Sequence, residues 1–233
     1  MNGQKRFYPG WSRQAIELAV FLFLIVPSLI LSFFVVRTGS VSFVFTAVAT
    51  ILRDLALVAL VLYFVWGNGE PLSHLGLRVR QPWRDIVIGA ILFIPFFFFA
   101  TALDTFLVNH GLHAPKTPLP SLTIEKGWNE VILASILVLV VAFSEETIFR
   151  GYLMLRFMGT TGSGAWAVIL SSVVFSLGHG YEGSAGVVTV GFMGAVFALI
   201  YLWRGNLLAP MTIHFLQDFI SIVLPVFISG PGK

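Results

Sequence analysis

The length of its apolar runs constrains this chain more than any other feature. Seven runs, at about 15–36, 41–66, 85–107, 130–157, 165–179, 186–203 and 207–228, are separated by short polar connections. About 20 apolar residues rising 1.5 Å each span the roughly 30 Å hydrocarbon core of a bilayer, where only helices and closed barrels satisfy their own backbone. The expected fold class is all-α: a polytopic transmembrane helical bundle of about seven helices, seven to eight in all. The fifth run is short for a span, so it either continues through Gly180 or sits beside longer neighbours. Composition points the same way, since 57% hydrophobic and 11% charged residues leave too little polar surface to cover a soluble globule of 233 residues.

The net charge of +3 is spread over the ends of the runs rather than gathered on one face. That pattern excludes a nucleic-acid partner and fits topology signals in contact with a lipid bilayer. The chain has no cysteine, so disulfides, thiolate zinc sites and cysteine nucleophiles are excluded. Lys5, Arg6, Arg13, Arg78, Arg80, Arg84, Arg156 and Arg204 fall on the N-terminal side, against Arg37, Lys116, Lys126 and Lys233 opposite, a bias of eight to four. The N-terminus is therefore expected in the cytoplasm and the protein in the cell (plasma) membrane. The first run is longer than the apolar core of a signal peptide and reads as a retained anchor. Residues 67–84 read as a cytoplasmic loop, and 108–129, with Pro115, Pro118 and Pro120, as an external flap.

A charge inside a membrane helix costs about 2.5 to 3.5 kcal/mol on insertion scales, so it is retained where it pairs or does chemistry. The fourth run, VILASILVLVVAFSEETIFRGYLML, places Glu145, Glu146 and Arg150 beyond an uninterrupted apolar stretch. The fifth ends FSLGH, with Phe175 and His179 four apart, and the seventh contains HFLQD, with His214 and Asp218 four apart. Glu146 and Arg150 stand in the favourable acid-first order and predict a structural ion pair. Glu145 points about 100° away and is left unpaired by its own helix. Asp218, one turn from His214, is placed to orient its ring. Counted from the cytoplasmic ends of their runs, Glu145, His179 and His214 lie at roughly 18, 21 and 10 Å, so the three can share one layer.

One Glu and two His suit either of two arrangements. One is a site for zinc or another divalent metal with His179 and His214 as ligands; the other is a metal-free water with Glu145 as general base. Arg53, Asp54 and Asp104, also inside apolar runs, read as structural pairs, and His110 and His113 as solvated loop residues. Phe175 reads as packing, and Gly178, Gly180, Gly183 and Gly186 as closing a tight connection.

The segments EETIFR (Glu145 to Arg150), FSLGH and HFLQD resemble, in order and each on an apolar run, the three motifs of the CPBP family, the CAAX proteases and bacteriocin-processing enzymes also called the Abi family. The likeness separates N-terminal transmembrane helices and loops at 1–129 from a catalytic core at 130–228. It implies an intramembrane endopeptidase that hydrolyses a peptide bond of a membrane-associated or C-terminal peptide. In that reading Glu145 activates water with help from His179, His214 and Asp218 stabilise the oxyanion or help to bind metal, and Glu146 with Arg150 is structural. Asp218 stands where many members carry Asn. The expected partners are a peptide or membrane-protein substrate and the lipid bilayer; no motif speaks to oligomeric state. Two other classes use intramembrane acids and histidines: a proton-coupled membrane transporter and a catalytically silent immunity or scaffold protein. The lack of an inverted repeat speaks against a carrier.

Overall fold

The computed structural model describes residues 10–34, 42–115, 124 and 127–229. Lys5, Arg6, Arg37, Lys116, Lys126 and Lys233, counted above as topology signals, lie outside the described residues, as do Pro118 and Pro120 of the expected flap. The helices are α1 (Trp11–Leu31), α2 (Phe43–Gly67), α3 (Pro82–Asn109), α4 (Gly127–Glu145), α5 (Met154–Thr161), α6 (Gly164–Leu177), α7 (Gly183–Arg204), α8 (Leu208–Asp218) and α9 (Leu224–Ser229). A π-helical stretch, Glu146–Leu153, joins α4 to α5, and a second, Phe219–Val223, joins α8 to α9. Each joined pair is one span. Among the described residues six spans are long and apolar enough to cross a membrane, and α6 adds a shorter seventh apolar helix. The all-α bundle of about seven helices is thus present, and the chain is an integral membrane protein.

Of the two readings of the fifth run, the second holds. α6 ends at Leu177, and a single turn at Gly180–Glu182 leads into α7 rather than prolonging the helix through Gly180. A helix end inside the bundle needs partners for its last backbone groups. Ser32, just past α1, supplies them: its hydroxyl is 2.8 Å from the Leu177 carbonyl and accepts from the Gly180 amide at 3.0 Å.

Alternation of the spans gathers their ends at two faces. The proximal face, where α1 begins, holds the connections 67–82, 161–164 and 204–208; the distal face holds the end of α1 and the turn from His179 to Gly183. The proximal ends are locked by Arg156, which was counted as a topology signal but is fully buried. Its guanidinium meets Glu70 at 2.6 and 3.0 Å and Glu17 at 3.1 Å, tying α5 to α1 and to the end of α2. Asn68 donates to Glu17 at 2.8 Å and completes the knot. Lipid tails are as apolar as the helices, so packing between spans rests on close approach rather than on expulsion of water. Gly89 shows this where α3 crosses α8: a Cβ there would stand 2.7 Å from the Ala209 carbonyl oxygen.

Candidate active site

Glu146 is where the site is built. Its side chain is fully enclosed, and one oxygen, Oε1, receives both Arg150 Nη1 and His214 Nδ1, each at 2.8 Å. The ion pair with Arg150 is the one its spacing predicts. The bond to His214, 68 positions away, is not. Asp218 was expected to orient the His214 ring, but it stands on the other side of it, 3.5 Å from Nε2. Glu146 already occupies Nδ1, so the carboxylate that holds the imidazole is Glu146. Glu145 Oε2 lies 3.7 Å from the same Nε2. The two consecutive glutamates therefore address opposite nitrogens of one ring, and Glu145 and Asp218 share the nitrogen that faces the cavity.

The π-helical stretch accounts for this placement. An i→i+5 turn is wider than an α turn and occurs frequently at functional sites. It begins at Glu146, and the chain needs local help to sustain it. Ser171 of α6 donates to the Phe149 carbonyl at 2.8 Å, and the Thr147 hydroxyl turns back to Phe143 at 2.7 Å. Gly151 lets the stretch approach the 67–82 connection, since a Cβ there would meet the Leu75 carbonyl oxygen at 2.9 Å.

Arg150 is fully buried, and its Nε and Nη2 have no hydrogen-bond partner among the described residues. Aromatic faces stand in for them. The guanidinium lies 4.2 Å from the Phe175 ring centre and 5.1 Å from that of Phe197, contacts that stabilise a desolvated cation by about 2 kcal/mol. Phe175 also touches Phe149 and His179, both at 5.0 Å between centroids. It packs, as expected, but what it packs against is the cation that fixes Glu146. His179 follows the end of α6, with Nδ1 3.2 Å from the Phe175 carbonyl. A proton donated there leaves Nε2 as an acceptor.

Glu145, His179, His214 and Asp218 all line one cavity of about 1010 Å³. Its wall includes parts of α2 and α3 that carry no motif. Arg53 and Asp54 form the expected pair, at 2.9 Å, but both line the cavity, as do Asp104 and Glu182. Asp104 accepts from Thr189 at 3.4 Å. The charged lining is five carboxylates to one guanidinium. Ser32, Ala114, Pro115 and Glu182 carry the wall towards the distal face, where His113 is hydrogen-bonded through its backbone to Ser184 and Ala185. His110 stacks on Phe106, 3.9 Å between ring centres, outside the cavity lining.

Among the described residues no three His, Asp or Glu side chains converge closely enough to hold one metal ion. His214 Nδ1 is committed to Glu146, which leaves Nε2 as the ring nitrogen that faces the cavity. As placed, His179, His214, Glu145 and Asp218 do not fit a preformed zinc site, and no step below is routed through a metal.

Residues 127–220, which contain the π-helical stretch and all four of these side chains, match the type II CAAX prenyl endopeptidase Rce1-like family. This segment belongs to the CAAX-protease (CPBP) family. The CAAX-protease segment accounts for the three motifs but not for α1 to α3, which supply Arg53, Asp54 and Asp104 to the cavity. One curated relative, an uncharacterized protein YpbD of Bacillus subtilis (strain 168), is 36% identical over 84 residues. That alignment covers 35% of this chain and 40% of the relative, so the chain spans well under two thirds of its length. No solved structure matches the chain.

Proposed function

We propose that the protein is an intramembrane endopeptidase in which Glu145 activates water against a peptide bond of a membrane-associated or C-terminal peptide. The observation that carries this reading is the His214 ring, held on one side by Glu146 and facing Glu145 and Asp218 on the other inside one cavity within the bundle. Water between Glu145 and His179 loses a proton to Glu145 as its oxygen attacks the peptide carbonyl. With Nδ1–H donated to Glu146, a proton on His214 Nε2 points into the cavity and receives the developing oxyanion. Collapse of the tetrahedral intermediate breaks the C–N bond, and the proton held by Glu145 passes to the leaving amine. Membership of the segment in a CAAX-protease family supports peptide hydrolysis in general. The arginine bias supports a cytoplasmic N-terminus in the cell membrane.

The test uses purified protein in proteoliposomes with membrane peptides. Glu145→Ala or His179→Ala loses cleavage while the unfolding temperature holds; full activity in either variant overturns the assignment. Metal is assayed separately, by metal content and by activity after chelation and after zinc is restored. Full activity at well below one metal per chain leaves Glu145 as the sole activator of water.

A further inference from the structure

We propose that the proximal face carries a built pocket for the phosphate of an anionic phospholipid headgroup. A recess of about 540 Å³ lies between the 67–82 connection, the start of α3 and the turn from α7 to α8. The one acidic group in its lining is already used. Asp85 is buried, receives Arg204 at 2.7 and 2.9 Å, and accepts from Asn206 Nδ2 at 3.0 Å. Asn206 Oδ1 accepts from the Leu208 amide at 3.0 Å and has nothing left to offer.

The groups that remain are donors. Arg78 and Arg80 are exposed and line the recess with no acidic partner among the described residues. The Ser73 hydroxyl joins them, and so does the amide nitrogen of Gln81, whose oxygen is taken by Arg84 at 3.0 Å. α3 starts at Pro82, so its positive end is directed here. Two uncompensated guanidiniums among donors, with the local acid neutralised, make an anion site in which arginine suits phosphate geometry.

Depth identifies the anion. Trp83 and Trp203 stand exposed at the ends of α3 and α7 that frame the recess, and Trp66 at the end of α2 on the same face; exposed tryptophan concentrates at the headgroup level of a bilayer. An anion held beside them sits among lipid phosphates. The same face carries the arginine excess that marks the leaflet rich in anionic lipid.

The test titrates purified protein in neutral detergent with phosphatidylglycerol, phosphatidylcholine or inorganic phosphate, and counts bound lipid by native mass spectrometry. Phosphatidylglycerol is expected to be retained over phosphatidylcholine. The Arg78→Ala/Arg80→Ala double variant is expected to bind it about thirtyfold more weakly, roughly fivefold per arginine. Arg78→Lys/Arg80→Lys keeps the charge but not the planar fork and is expected to bind between the unaltered protein and the double alanine variant, which separates loss of charge from loss of fold. Glu145→Ala binds as the unaltered protein does, so the outcome is independent of whether peptides are cleaved. Unchanged binding in the double alanine variant, or equal retention of phosphatidylcholine, overturns the proposal. Displacement of phosphatidylglycerol by equimolar inorganic phosphate makes this a soluble-anion pocket and overturns the lipid assignment.

Discussion

Two consecutive glutamates reach opposite nitrogens of His214, and the consequences of removing their supports differ. Arg150 is the permanently charged partner of Glu146, and both are fully buried. Arg150→Met leaves the Glu146 carboxylate with His214 alone in a low-dielectric interior, and removing one partner of a buried pair costs about 3 to 5 kcal/mol. Thermal unfolding in detergent should show that loss, and peptide cleavage should fall with it. Glu146→Gln keeps the shape and one acceptor but removes the charge. It is expected to lower kcat at nearly unchanged KM, because it alters how firmly His214 is held and not the cavity wall; a KM effect alone would mean that Glu146 is not the positioning group. The Glu146–Arg150 pair was legible because both partners sit one turn apart on one helix. The Glu146–His214 bond was not, because it depends on how α4 and α8 are rotated about their axes.

At the scale of the element, the π-helical stretch is held by contacts from outside itself. Ser171→Ala removes the donor to the Phe149 carbonyl. The expected cost is about 1 to 3 kcal/mol for an unsatisfied buried acceptor, with a larger fall in cleavage than in unfolding temperature as Glu145 shifts. Ser171→Thr keeps a hydroxyl and should restore part of both; equal loss in the two variants would point to packing instead. Nothing in EETIFR marks a π turn, since its residues suit an α-helix equally well. The phase of α2 was hidden for a related reason. Its residues are apolar on all sides, so periodicity does not say which face meets the cavity, and Arg53 and Asp54 could be recognised as a pair but not as part of a wall. The burial of Arg156 was not readable, because a base near a helix end looks the same in sequence whether lipid headgroups or Glu17 and Glu70 receive it.

For the whole molecule, the bundle and the three motif-bearing spans were readable because lipid leaves the backbone few choices, whereas the way in to the site required the assembled helices. The cavity wall carries five carboxylates and one guanidinium, a balance that favours cationic over anionic peptides. A matched peptide pair with Lys or Glu beside the scissile bond should differ in kcat/KM in favour of Lys, and Asp104→Asn should narrow the gap. The wall also runs to Ala114 at the distal face, opposite the start of α1. The assembled wall thus leads away from the arginine-rich face. Because the chain has no native cysteine, single cysteines can report this without background. Ala114→Cys is expected to react with a membrane-impermeant maleimide added outside intact spheroplasts. Arg84→Cys, exposed at the start of α3, should react only after the membrane is opened. Pre-incubation with a cleaved peptide should slow labelling at Ala114→Cys but not at Arg84→Cys, since only the first borders the cavity. Labelling of both from the same side would break the alternation of spans, and labelling of Arg84→Cys alone from outside would reverse the orientation drawn from the arginines.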